Sequence, residues 1–387
     1  MTAPLTPRTR ADACPGALQT HAAADGALAR VRIPGGTLTV AQLRVLSEAA
    51  RVLGDGALGL TSRGNVQLRG LGPGSESELG DRLAAAGLLP SAPHETARNV
   101  LASVLSGRTG GVLDVRPWVA AFDSGLCADL SLAALPGRFL ATFDDGRGDV
   151  AGLGADVALL ALDAGTVALL LAGSDTGLRT TPDSAVPLAL AATRAFLDER
   201  SAQGGTAWRV ADLVEGPARI AAALGGPRHE TVPVPTAPLS GPAGAVAQDD
   251  GRTALVAVVP LGRLSGEQAD LLAGIADTDL QVTPWRSVVV PDLAGGAAAG
   301  ELSAAGLVLD PSSPWLQVTA CAGRPGCAKS LSDVRADATR AVSTGLLPGG
   351  GARQHWAGCE RRCGRPAGGV LDVVATPAGY RIGPPAS

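Results

Sequence analysis

Apolar residues recur along this chain with two periods, and their alternation divides it into strand–helix–strand units. Leu43, Leu46, Ala50 and Leu53 follow helical spacing behind Thr39-Val-Ala-Gln42, a capping-box start, and Gly54–Gly56 stop the run. Ala29 to Ile33 before it reads as a strand closed by the turn Pro34-Gly35-Gly36. Leu58 to Leu68 after it reads as one strand, on which Arg63, Asn65 and Gln67 alternate and would share a face.

The same programme returns about 226 residues later. Strand Ala254 to Val259 leads into Pro260-Leu261-Gly262, and Ser265-Gly-Glu-Gln268 opens a helix carrying Leu271, Leu272 and Ile275. A second strand then carries Val282-Thr283-Pro284-Trp285-Arg286. Gly36 matches Gly262, Thr39 matches Ser265, Gln42 matches Gln268 and Thr61 matches Thr283, in that order. Hairpins follow in both copies: Asp156 to Leu171 turns at Asp163-Ala164-Gly165, and Val370 to Ile382 turns at Pro377-Ala378-Gly379. The pattern predicts an α+β chain of two pseudo-repeated halves, roughly 25–175 and 250–383, each needing a partner for its apolar faces. A helix-rich segment, Ala185 to Leu224, and a Pro/Gly/Ala linker, Val232 to Ala247, join them. We take four consecutive domains, at 1–85, 86–235, 236–300 and 301–387.

Composition narrows the class. A 46% hydrophobic and 18% charged chain of 387 residues can build more than one core and is not wholly disordered. Its net charge of −4 points to neither a nucleic-acid nor a membrane-surface partner. The most apolar run, Val157 to Ala172, breaks into two strand-length arms and does not span a membrane. Met1 to Arg10 lacks the apolar stretch of a signal peptide, so a cytoplasmic, reducing location is expected. Lys329 is the sole lysine, which GC-rich coding explains, although arginine also grips carboxylates in a two-pronged way that lysine cannot.

Candidate chemistry gathers near the C-terminus. Cys321-Ala-Gly-Arg-Pro-Gly-Cys327 and Gly358-Cys359-Glu-Arg-Arg-Cys363-Gly364 form a C-x5-C pair and a C-x3-C pair, 31 residues apart. Four thiolates on two short loops suit a [4Fe–4S] cube, one sulfur per iron. A zinc site, two disulfides or unrelated thiols are the other readings; zinc favours closer pairs and a reducing compartment disfavours disulfides. A helix bearing Leu331, Val334, Ala338 and Val342 on one face, ending at Gly345, lies between the pairs. Cys14 and Cys127 read as lone thiols. Of four histidines, His21, His94, His229 and His355, the last stands nearest the cysteines, yet no 2-His-1-carboxylate spacing is present. No glycine-rich run follows a strand and opens a helix, so no dinucleotide domain is expected.

Duplicated units plus this cysteine spacing resemble the sulfite/nitrite reductase superfamily over nearly the whole chain. Thr61-x-Arg63-x-Asn65-x-Gln67, Arg98-Asn99-Val100 and Leu135-Pro136-Gly137-Arg138-Phe139 look like its recurring segments. The resemblance implies a ferredoxin-like unit followed by an α/β reductase-like domain in each half, with a [4Fe–4S] cluster on Cys321, Cys327, Cys359 and Cys363. Arg63, Asn65, Gln67, Arg98, Arg138 and Arg286 would then bind a carboxylate-rich tetrapyrrole. Cys14-Pro15-Gly16, Arg30 to Gly36, Val282 to Arg286 and His355-x-x-Gly358-Cys359 look most like the superfamily's precorrin-3B synthase branch. That branch implies O2-dependent hydroxylation of precorrin-3A at C20 with γ-lactone formation. It further implies a mononuclear non-haem iron, and NADH or a separate electron-transfer partner as reductant. The family lysine after Phe139 is Leu140 here, which removes a cation and proton donor and argues against a sirohaem reductase. A non-catalytic tetrapyrrole-binding iron–sulfur protein is the third reading.

Overall fold

The computed structural model describes residues 14–383; the Met1–Arg10 reading lies outside them. Contacts group the chain into two compact units. The first takes residues up to Ala17, Arg32–Thr37 and Leu88–Pro238; the second takes Leu18–Val31, Leu38–Gly87 and Leu239 onward.

The reason lies in how the repeats complete each other within the second unit. In one sheet, His21–Ala23, Gly26–Val31, Val66–Leu71 and Ala57–Leu60 lie side by side, and Arg263–Ser265 from the later repeat closes the edge. In the other, Gly244–Ala247, Thr253–Val258, Ser287–Leu293 and Asp279–Val282 are closed by Thr37–Thr39 from the earlier repeat. Each three-residue strand sits directly before its own helix and pairs with the opposite sheet, so neither sheet keeps that edge open. The two helices, Val40–Leu53 and Gly266–Ile275, meet through Ser47 Oγ, which donates to Asp270 Oδ1 at 3.1 Å, and through the Arg51–Asp270 ion pair. A half-repeat cut from the other would lose an edge strand and a helix partner together.

The repeats match in hydrogen bonding. Gln42 N–H donates to Thr39 Oγ1 and Thr39 N–H to Gln42 Oε1; Ser265 and Gln268 make the same reciprocal pair. Both glutamines also donate from Nε2 to a carbonyl past the next helix, Ala86 in one copy and Ala305 in the other. The single strand expected over Leu58 to Leu68 is instead a hairpin, Ala57–Leu60 with Val66–Leu71. Thr61 makes the turn: its N–H donates to Asn65 O, its carbonyl accepts from Gly64 N–H, and its hydroxyl accepts from Arg63 and Asn65 N–H. Gly64 supplies the left-handed φ of 62° that the turn needs. Thr283 builds the same turn through Ser287 and Arg286.

Each unit also holds an α/β layer of one design. In the first, Val100–Ala102, Ala141–Asp144 and Val157–Ala161 run parallel, then Val167–Leu171 and Ser174–Thr180 return antiparallel. Phe122, Phe139, Phe143 and Phe196 fill its core under helices Arg116–Ala128 and Pro182–Ala202. In the second, Val318–Ala320, Gln354–Ala357 and Leu371–Thr376 are parallel and Gly379–Gly383 returns antiparallel. Helix Val334–Ser343 packs Val334 and Ala338 on Trp356 and Val373. Leu331 precedes this helix and is exposed, so only part of the expected apolar face is used. Among the described residues no helix is long and apolar enough to cross a membrane.

Ser265→Ala, by removing an N-cap at the exchanged strand, is expected to cost about 1 kcal/mol of unfolding free energy in urea. An unchanged midpoint would show that this cap does not hold the repeat.

Candidate metal centre

Both cysteine loops leave the same edge of one parallel sheet in the second unit. Cys321 follows Val318–Ala320 directly, and Gly358-Cys359 follows Gln354–Ala357. Cys321 N–H donates to Trp356 O at 3.0 Å, and Gly358 N–H donates to Cys321 Sγ at 3.2 Å. A side chain on Gly358 would overlap the Ser330 hydroxyl, so only glycine fits beside that sulfur. All four thiols are unbridged. Burial pushes the Cys363 thiol up, Arg361 opposes the rise, and Cys321, Cys359 and Cys327 add to it, so the four sulfurs are electrostatic neighbours. Among the described residues no three His, Cys, Asp or Glu side chains converge closely enough for one metal ion. Four thiols on two loops that leave one sheet edge fit the donor chemistry of a multi-iron cluster.

Charged residues fix the loops. Arg69 holds Asp25 through Nε and Nη2 and donates from Nη2 to Gly326 O at 2.7 Å, tying the C-x5-C loop to the first repeat. Arg335 Nε donates to Cys321 O at 3.3 Å and Arg324 Nε to Ser330 O at 2.8 Å. Arg362 and Arg365 both pair with Asp372 and so anchor the C-x3-C loop, Arg362 with a left-handed φ of 47°.

Beside the C-x5-C loop lies a cleft of about 640 Å³, bordered by Ala322, Arg324, Pro325 and Gly326 and by residues of both repeats. Two of its arginines are neutralised, Arg69 by Asp25 and Arg263 by Asp55. Arg324 and Arg335 donate only to carbonyls among the described residues. Burial lowers the Arg335 pKa, with Arg263 and Arg69 adding to the shift, so a positive group is held there against its own cost. Sequence reading passed over Arg69, Arg263 and Arg335; their shared cleft emerges only from the exchange of edges between repeats.

The expected tetrapyrrole contacts divide. Arg63 and Asn65 lie in the Thr61 turn and Gln67 in the strand beyond it, so the three do not share a strand face; Asn65 is buried. With its amide turned to accept, Gln67 takes N–H donors from Arg30, including Nε at 3.0 Å. In the first unit Arg98 is buried, bound to Asp123 through Nε and Nη2 at 2.7 Å each, and donates to Leu88 O. These donors hold it against helix Arg116–Ala128, which carries Asp123. Arg138 is exposed and lies over Trp208, 5.4 Å from the ring centroid. Arg286 lies in the second unit near Arg353, Arg335 and His355. Cys14 packs by Gly137 in the first unit, far in sequence from the paired cysteines.

The nitrite/sulfite reductase ferredoxin-like half domain matches residues 21–86 and 246–300, the two exchanged repeats. A precorrin-3B synthase of Sinorhizobium sp. is 27% identical over 387 aligned residues, covering 96% of this chain and 82% of that protein. A ferredoxin–nitrite reductase of Synechococcus elongatus is 26% identical, covering 89% and 75% respectively. The Mycobacterium tuberculosis NirA protein has the same fold, with a TM-score of 0.72 at 22% identity over 92% of this chain and 74% of its own. This chain belongs to the sulfite/nitrite reductase superfamily.

The duplication in this sulfite/nitrite reductase superfamily member reaches the cysteine loops themselves. Ser103 stands where Cys321 stands: its N–H donates to Phe143 O at 3.0 Å, and its Oγ accepts from Asp145 N–H at 3.0 Å. In place of a second thiol pair, Asp149 accepts from Ser103 Oγ at 2.7 Å and Val104 N–H at 2.9 Å. The first copy has closed its own loop edge with a polar network. Burial pushes the Asp149 carboxyl up from 3.8 to about 6, more than the Ser103 and Val104 bonds lower it, and Asp144 adds to the rise.

An acid whose pKa rises on folding keeps its proton longer in the native state, so stability falls as pH climbs from 3.8 to about 6 and stays lower above that. Asp149→Asn is expected to remove this slope in urea unfolding and to gain up to about 3 kcal/mol at neutral pH. The same slope in the variant would contradict the assignment.

Proposed function

We propose that this chain is an oxidoreductase of the precorrin-3B synthase type, converting precorrin-3A by O2-dependent hydroxylation at C20 and closure of a γ-lactone. One observation carries the reading: the cleft next to the C-x5-C loop keeps Arg324 and Arg335 without carboxylate partners among the described residues, as a carboxylate-rich macrocycle requires. The synthase of Sinorhizobium, matched along almost the whole chain, supports the same reaction class.

Cys321, Cys327, Cys359 and Cys363 would hold a [4Fe–4S] cluster, which supplies electrons one at a time when bound. Gly358 leaves the space, and its N–H steadies the Cys321 sulfur. Arg69 and Arg335 brace the loop backbone while Arg335 and Arg324 orient substrate carboxylates at its side. In balance, one oxygen atom enters the product and the other leaves as water, two electrons coming from NADH or a separate carrier protein. Among the described residues no three His, Cys, Asp or Glu side chains come together to hold a mononuclear iron, and His94 is engaged by Ser91 and the Asp129 carbonyl. No step is routed through such an iron.

Similarity to nitrite reductases keeps a sirohaem reductase in view. Leu140 speaks against it, being buried among Leu101, Ala158 and Leu160 where no cation is offered.

Cluster-loaded protein, precorrin-3A and a reductant under labelled dioxygen are expected to give a hydroxylated lactone carrying one labelled atom. Binding of precorrin-3A without product would leave a tetrapyrrole-binding protein instead. Arg335→Gln is expected to weaken binding of an octacarboxylate porphyrin by roughly tenfold or more. Unaltered affinity would remove the cleft from the account.

A further inference from the structure

One polar rung crosses the three parallel strands that carry the cysteine loops. Thr319, His355 and Asp372 are each the second residue of their strand, and they pair in register, Thr319 with His355 and His355 with Asp372. Side chains paired in this way stand on one face of the sheet. The equivalent rung of the first unit is Leu101, Thr142 and Ala158, again the second residue of each parallel strand. Leu101 and Ala158 belong to an apolar cluster there, and the Thr142 hydroxyl has no partner among the described residues. The frame therefore folds with apolar groups at these places. In the second unit His355 and Asp372 are buried, which costs free energy unless their polar atoms are used.

They are used on the cysteine loops. His355 Nδ1 meets Thr319 Oγ1 at 3.0 Å, and the ring is also hydrogen-bonded to the main chain of Cys363. Asp372 pairs with Arg365 Nε at 2.8 Å and with Arg362 Nη1 at 3.3 Å, the residues on either side of Cys363-Gly364. Arg365 Nη2 donates to Val370 O at 3.0 Å, which ties the far end of the loop to the start of the strand bearing Asp372. Within the loop, Arg362 N–H donates to Cys359 O at 3.2 Å and Arg365 N–H to Arg362 O at 3.1 Å. Thr319 stands two residues before Cys321, and His355 four before Cys359. The rung thus joins the strand that leads to Cys321 to the loop that holds Cys363.

We propose that the Thr319–His355–Asp372 rung is a positioning device, in which His355 fixes the Cys363 main chain relative to Cys321. These residues act through the loop they hold. The inference rests on reading the four cysteines as cluster ligands, and not on the reaction proposed above.

Hydrogen–deuterium exchange of the cluster-free full chain tests the rung itself. His355→Leu is expected to speed amide exchange over residues 359–365 roughly tenfold while residues 100–161 stay unchanged. Thr319→Val, which keeps the shape and removes the hydroxyl from Nδ1, should act in the same direction, and it carries the test where His355→Leu does not fold. His355→Gln, which keeps a side-chain donor, should recover part of the protection. Thr142→Ala, at the equivalent place in the first unit, should leave residues 359–365 as they are. In cluster-loaded protein, His355→Leu and Thr319→Val are expected to release iron to a chelator roughly tenfold faster and to shift the reduction potential, with partial recovery in His355→Gln. Wild type that takes up no cluster would end the reading of the cysteines, and the exchange result would still decide whether the rung holds the loop. Unchanged exchange at 359–365 in Thr319→Val and in folded His355→Leu would overturn the proposal. So would faster exchange spread evenly over the chain, or a loosened loop with no change in iron release or potential in protein that holds the cluster.

Discussion

The N–H of Cys321 bonded to the carbonyl of Trp356 is the contact on which the candidate centre depends. It registers two parallel strands so that both cysteine loops start from one sheet edge. From there the positions of the other sulfurs follow from short loops whose ends are already fixed. Leu331 N–H bonded to Gly358 O closes one loop against the other. Parallel strands ending side by side make a crevice at their carboxyl ends, and the thiols occupy it. Helix Val334–Ser343, the crossover between those strands, is buried on Trp356 through Val334 and Ala338, so moving it would move the centre.

Duplication supplies the material and divergence decides its use. One hydrogen-bond frame carries Cys321 in one copy and Ser103 in the other. In the first, the edge keeps unbridged thiols; in the second, Asp149 and Ser103 satisfy each other. The same contrast separates Gly64 from Arg286 in the paired turns. In both cases the two copies share a backbone frame and differ in the side chain that it carries.

The repeats and caps were legible because they obey local rules. Thr39 with Gln42 and Ser265 with Gln268 announce helix starts within four residues, and both form the reciprocal bonds expected of them. The hairpins at Asp163 and Pro377 were equally local, and both are present. The turn at Thr61 was missed because its hydrogen bonds arise from a threonine hydroxyl and a single glycine inside an otherwise strand-like run. Edge exchange was hidden for a different reason. A three-residue strand has no periodicity to read, and its partner lies more than two hundred residues away. The Arg98–Asp123 pair shows the same limit, since basic residues in a family-like segment look alike until their carboxylate partners are placed. The cleft arginines depend on all of these at once.

The central claim, that Cys321, Cys327, Cys359 and Cys363 together hold an iron–sulfur cluster, is tested most directly by an optical spectrum with iron and sulfide counts on protein isolated without oxygen. The account predicts broad visible absorption, no sharp tetrapyrrole bands, and about four sulfides with at least about four irons per chain, lost together in Cys359→Ser. Stoichiometric zinc without sulfide, or protein free of iron after reconstitution, would contradict it.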